Sequence, residues 1–168
     1  MPLSQILPQI PFPPGPRTAI RQGILDLVRG MTFGTPINGT TTWRTTSPRL
    51  KLWADVSSQD QPAAFVTKHR ERREIARIPI QAGLEVRYLH LSIYCYSRTD
   101  DPSSVGSDDL DIMMEAFDAA FTPDKMGTLL LTLGGLAYYA RMEGQIFQDP
   151  GDIDNQAMMI VPVVVEMP

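Results

Sequence analysis

The sequence predicts an α+β domain: a mostly antiparallel sheet of about five strands with two helices packed on one face, in the order α-β-β-β-α-β-β. Three observations predict it. Two segments repeat apolar residues at helical spacing. Runs rich in β-branched and aromatic residues lie on either side of the second helix, and turn residues separate them. A chain of 168 residues is long enough for one domain with its own core. A sheet and two one-sided helices bury their apolar surfaces together when the helices share one face.

The elements follow in order. Residues 1 to 16 hold six prolines and read as an extended arm. Residues 17 to 168 form the single domain. A first helix fits residues 17 to 29, with Ile20, Ile24, Leu27 and Val28 on one stripe, and Gly30 is placed to end it in the left-handed conformation. "MTFGTPINGTTT" (31 to 42) is a loop. "TTWRTTSPRLKLW" is rich in strand formers but contains Pro48, so a strand there is interrupted or lies at an edge. "DVSSQDQP" is a connection. "AAFVTKHR" is a short strand, and "ERREIAR" the far end of a hairpin. The return run, 78 to 97, shows Leu89, Leu91, Ile93 and Cys95 on one face and Tyr88, His90, Ser92, Tyr94 and Tyr96 on the other. The aliphatic face belongs beneath the helices. The aromatic, hydroxyl-rich face suits contact with another subunit, so Tyr88, His90, Tyr94 and Tyr96 are the candidate subunit-contact residues.

After the linker "RTDDPSSVG", Ser107 is placed to cap a second helix over 108 to 121. Asp108, Asp109 and Asp111 lie in its first turn, where the helix dipole favours acids. Leu110, Met113, Met114, Phe117 and Phe121 form its apolar stripe, and Pro123 discourages continuation. Two strands, about 135 to 147 and 156 to 166, close the domain around "QDPGDIDN".

That last connection is the main candidate for chemistry. Asp149, Asp152 and Asp154, with Glu143 nearby, suggest either a carboxylate metal site or a polar hairpin tip. Asp-Pro-Gly-Asp is turn chemistry: proline presets one backbone angle, glycine supplies a positive one, and aspartate caps the turn. An EF-type calcium loop also needs a closing glutamate, absent here. The hairpin tip is the expected reading, with no metal and no cofactor. His69 and His90 are the only histidines and Cys95 the only cysteine. Cys95 and His90 project to opposite strand faces, which opposes a nucleophile–base pair. No phosphate-binding or nucleophile-elbow motif occurs. The chain is therefore not expected to be an enzyme.

With 15 basic and 19 acidic residues the net charge is −4 and the pI about 5.1, a balance that disfavours sequence-wide nucleic-acid binding. One cysteine excludes an intrachain disulfide. The proline-broken N-terminus is not expected to be a signal peptide. The longest apolar run, "LLLTLGGLAYYA", is too short for a bilayer, so no membrane partner is expected. One basic patch stands out, "KHRERREIAR". Its Lys68, Arg70, Arg72 and Arg73 are candidate partner-contact residues, against the plainer reading of a solvated hairpin tip.

Most of the chain, about residues 17 to 167, resembles the tail terminator (tail completion, minor tail) proteins of long-tailed bacteriophages. The resemblance rests on "IRQGILDLVRG", "RLKLWADVSSQDQPAAFV", "LDIMMEAFDAAF" and the closing "TLGGLAYYARMEGQIFQDPGDIDNQAMMIVPVVVEM". Its most specific pieces are W-x-D-V-x-x-x-x-Q-P-A, Trp53 to Ala63, and GGL…EG…GD-x-D-x-Q, Gly134 to Gln156. The resemblance implies a structural virion protein that assembles in the host cytoplasm. It would form a homo-oligomeric ring, typically of six subunits in that family, at the head-proximal end of the tail tube. Its partners would be itself, the tail tube protein and a head connector or stopper protein. DNA would pass through the lumen unbound, which an acidic chain favours. The alternatives are another neck or minor tail protein of similar fold, or a carboxylate metal-dependent enzyme.

Overall fold

The computed structural model describes residues 17–75, 85–98, 101, 103, 105–124, 129–152 and 154–167. The proline-rich segment 1–16, the end of "ERREIAR" (76 and 77) and the first residues of the return run (78–84) lie outside the described residues. The chain runs α1 (Arg17–Arg29), β1 (Thr45–Ser47), β2 (Ala63–Ile75), β3 (Glu85–Arg98), α2 (Gly106–Ala120), β4 (Tyr139–Met142), β5 (Phe147–Asp149) and β6 (Gln156–Met167). The strands form one six-stranded sheet in the order β1-β2-β3-β6-β4, with β5 also paired to β6. Every pairing is antiparallel except the edge pair β1–β2. The fold is α+β, and both helices lie on one face of the sheet. None of the described helices is long and apolar enough to cross a membrane.

The main core lies between that face and the helices. The sheet contributes Ala64, Val66, Leu89, Leu91, Ile93, Cys95, Met159, Val161, Val163 and Val165; the helices contribute Ile20, Ile24, Leu25, Val28, Leu110, Met113 and Phe117. Leu89, Leu91, Ile93 and Cys95 are buried as their alternation requires.

Several local details differ from the sequence reading. Gly30 is not left-handed: its N–H bonds the Asp26 carbonyl at 3.0 Å and Met31 bonds Val28 at 3.1 Å, so α1 ends by tightening its last turn. Ser107 does not cap α2. Val105 holds the cap position without a side-chain bond, and Ser107 lies inside the first turn. Gly106, the first helical residue, packs against the Pro150 carbonyl, where a Cβ would sit only 2.0 Å from that oxygen. The short strand at "AAFVTKHR" and the hairpin end at "ERREIAR" are one continuous strand, β2, with a register shift between Lys68 and Arg70.

The strand expected over 135 to 147 is two strands. The reason lies across the sheet, at Pro162 of β6. Proline has no N–H to offer a neighbouring strand. Its carbonyl accepts the Glu143 amide at 3.1 Å, and the chain then leaves β6 through Gly144 (φ 122°) before returning as β5.

A buried polar knot ties the sheet to its connections. Gln61 and Gln156 are fully or nearly buried. Gln61 Nε2 donates to Gln156 Oε1 at 3.2 Å and to the Val56 carbonyl at 2.9 Å. Gln156 Nε2 donates back to Gln61 Oε1 at 3.1 Å and to the Ser97 carbonyl at 3.3 Å. The two most specific motif segments thus meet through their glutamines. Removing either one leaves the other amide buried and short of a partner, at a cost of about 1–3 kcal/mol. Gln61→Ala and Gln156→Ala are each expected to destabilise by that amount. The double variant is expected to lose less than the sum, by about 0.5–3 kcal/mol. Denaturant unfolding of the four proteins checks this, and strict additivity would exclude the coupling.

Candidate interaction surface

The acids of the β5–β6 connection make turns. Asp149 Oδ1 accepts the Gly151 N–H at 3.0 Å, and Asp154 Oδ1 accepts the Gln156 N–H at 3.1 Å. Both are aspartate-stabilised turns of the kind the sequence suggested. Glu143 pairs with Arg141 on β4. Among the described residues no three His, Cys, Asp or Glu side chains converge on one point. Cys95 is wholly buried, and burial pushes its thiol up, away from the reactive thiolate.

One polar cavity, about 200 Å³, lies between the start of α2 and this connection, lined by Ser97, Gly106, Asp109, Gly151 and Asn155 among others. Ser97 Oγ donates to Asp109 Oδ2 at 2.5 Å. Burial raises the Asp109 carboxyl above its ordinary value, and the Ser97 bond opposes the shift. Neither histidine is on the cavity wall, and the group beside Ser97 Oγ is the Asp109 carboxyl.

The sheet face opposite the helices is different. No described helix covers it. The strand registers set its side chains in rows. Phe65, Tyr94, Ile160 and Phe147 form one row across β2, β3, β6 and β5. Arg70, His90, Val164 and Arg141 form another across β2, β3, β6 and β4, and Arg72, Tyr88, Glu166 and Tyr139 form the next. The face is therefore apolar and aromatic toward one end; toward the other, Arg70, Arg72 and Arg141 stand among aromatic rings and the carboxylates Glu74, Glu143 and Glu166. Phe147 is 51% exposed. Arg72 lies over the Tyr88 ring at 5.3 Å and Arg141 over the Tyr139 ring at 5.1 Å, contacts that pin each guanidinium against the sheet.

The candidate residues divide accordingly. Tyr88, His90 and Tyr94 are half-buried on this face. Tyr96 is not available there: it is 3% exposed and packs with Val56, Ala63 and Phe65, its hydroxyl donating to the Lys51 carbonyl at 3.0 Å. The 51–60 connection folds over that end of the sheet, which strand alternation alone does not reveal. His90 Nε2 is buried without a hydrogen-bond partner among the described residues. Burial, then the Arg70 and Arg72 cations, holds its imidazole below the ordinary value.

The basic patch is split by the extra residue of the β2 bulge, His69. Arg70 and Arg72 pair with His90 and Tyr88 on the open face, while Lys68 and Arg73 fall on the helix side with Glu71. Glu71 accepts both the Nε and the NH2 of Arg17, the latter at 2.8 Å, and also faces Arg73 and Lys68. This ion cluster ties α1 to β2. Sequence reading missed Tyr139, Arg141, Ile160 and Phe147 as members of the face. Their alternation in β6 is masked because both its faces are apolar, and their β4 and β5 neighbours depend on register.

The Arg17 hydrogen bonds push the Glu71 carboxyl down to about 2 against partial burial, with further help from the charges of Arg17, Arg73 and Lys68. A carboxyl depressed on folding contributes stability above its ordinary value of 4.5, lost as pH falls toward about 2. Glu71→Gln is expected to lower the melting temperature at pH 7, with the difference from the parent shrinking as pH drops through that window. Thermal unfolding over a pH series checks it, and a pH-independent difference would assign the loss to packing alone. No protein-family model matches the chain, and no curated protein sequence matches it.

Proposed function

We propose that this chain is a structural virion protein of a long-tailed bacteriophage that forms a ring at the head-proximal end of the tail tube. It ends tube polymerisation there and joins the tail to the head connector. The observation that carries this reading is the sheet face that no described helix covers, where aromatic, apolar and charged residues from five strands lie side by side, with only its Phe65 end buried under the 51–60 connection. Apolar surface of this breadth is favourable to bury against another subunit. The resemblance of the two motif segments to tail terminator proteins supports the same reading. In the fold those segments are joined by the Gln61–Gln156 pair, which gives them a structural reason to occur together.

A ring on a tube end needs a closed, repeated contact between copies and a lumen that does not hold phosphate. The chain's net charge of −4 suits the second requirement. A cap stops tube growth when it binds the growing end and presents no copy of the tube's own joining surface. Lysates of a phage lacking this protein are therefore expected to contain filled heads beside unattached tails, many of them overlong. Electron microscopy of such lysates is the test. Uniform tails joined to heads would exclude the terminator role and leave that of a neighbouring, dispensable minor tail protein.

A further inference from the structure

Two surfaces of this molecule are complementary and face away from each other. On the exposed side of α2, Asp108, Asp111, Glu115 and Asp118 recur at intervals of three and four residues, which places them along one line of the helix. All four are exposed, and none makes an ion pair among the described residues. The line from Asp108 to Asp118 is about 15 Å long at the rise of an α-helix. On the opposite layer, the row Arg70–His90–Val164–Arg141 crosses four neighbouring strands. Three interstrand spacings of about 4.8 Å make it about 14 Å long. Arg72 stands beside it, one row further along β2. Arg70 has no carboxylate partner among the described residues, whereas Arg72 and Arg141 hold only the surface glutamates Glu74 and Glu143. Exposed pairs of that kind are weak and exchange readily.

We propose that the acidic line of α2 in one copy of this chain docks across the basic row of the uncovered sheet face in the next copy. The proposal rests on the ring reading and gives its subunit contact. Because helix and row lie on opposite layers, one copy cannot join them within itself. The contact is therefore head-to-tail, using a different surface on each partner, which is the kind that closes into a ring or runs on as a filament. Like charges on both surfaces would repel, so the charges also set which side of a neighbour is accepted.

Charge reversal of each surface in the full chain tests this by sedimentation velocity at low ionic strength, with circular dichroism as a check on folding. The parent is expected to assemble. Arg70→Glu/Arg72→Glu and Asp111→Lys/Glu115→Lys are each expected to weaken self-association about tenfold or more. An equal mixture of the two is expected to assemble again, since reversed helix meets reversed row and native helix meets native row. Recovery on mixing also shows that both variants are folded. If both variants assemble like the parent, this contact is wrong and the ring reading stands on another surface. If each is monomeric but the mixture stays monomeric, the two surfaces do not meet each other and the proposal fails. If Arg70→Glu/Arg72→Glu abolishes retention on duplex DNA and leaves assembly intact, the row takes nucleic acid and the proposal fails. If the parent itself stays monomeric at every concentration and tails carry no ring, the ring reading fails and takes the contact with it.

Discussion

The pairing of β3 with β6 carries the rest of this structure. It runs in unbroken register from Arg87 opposite Met167 to Arg98 opposite Gln156. Strand side chains alternate, so one register assigns every residue of both strands to a face at once, and a slip of one residue would turn the whole apolar set outward. The register is held because Leu89, Leu91, Ile93 and Cys95 and their partners Val165, Val163, Val161 and Met159 are all essentially dry beneath the helices. Everything placed on the opposite face, from Tyr88 to Glu166, follows from that burial.

Two irregularities then shape the open face. The bulge at His69 takes up one residue, so Arg70 and Arg72 join His90 and Tyr88, while Glu71 turns to the helix side and meets Arg17. Without the extra residue Arg70, Arg72 and Glu74 would exchange faces with Glu71 and Arg73. Pro162 is the second. It interrupts the neighbour strand and separates β4 from β5, which brings Arg141 and Tyr139 beside the basic row and Phe147 beside the apolar one. Bulges and prolines in sheets commonly re-aim side chains in this way.

The polar residues of the domain divide by burial. Gln61, Gln156, Ser97 and Asp109 are buried and bonded to one another or to backbone, and they hold the connections at one end of the sheet. Gly106 and Gly151 permit the close approach there: a Cβ on Gly151 would sit 2.4 Å from the Gln156 backbone, at a φ of 70°. Exposed charges lie along the outer line of α2 and on β2, and Asp152 and Asp154 are exposed on the β5–β6 connection.

By itself the sequence determined the α+β class, the extent of α1, the aliphatic face of β3 and the turn chemistry of Asp149 and Asp154. Each depends on residues within a few positions of one another, so short-range periodicity and side-chain preference are enough to read it. Tertiary structure alone decided the parallel edge pairing of β1, the continuity of β2 through its bulge, and the division of the 135–147 strand opposite Pro162. It also withdrew Tyr96 into a small core, and it joined Gln61 to Gln156 across 95 positions of chain. Those features depend on which residue lies across the sheet, and cross-strand neighbours are set by register between distant segments rather than by any local pattern.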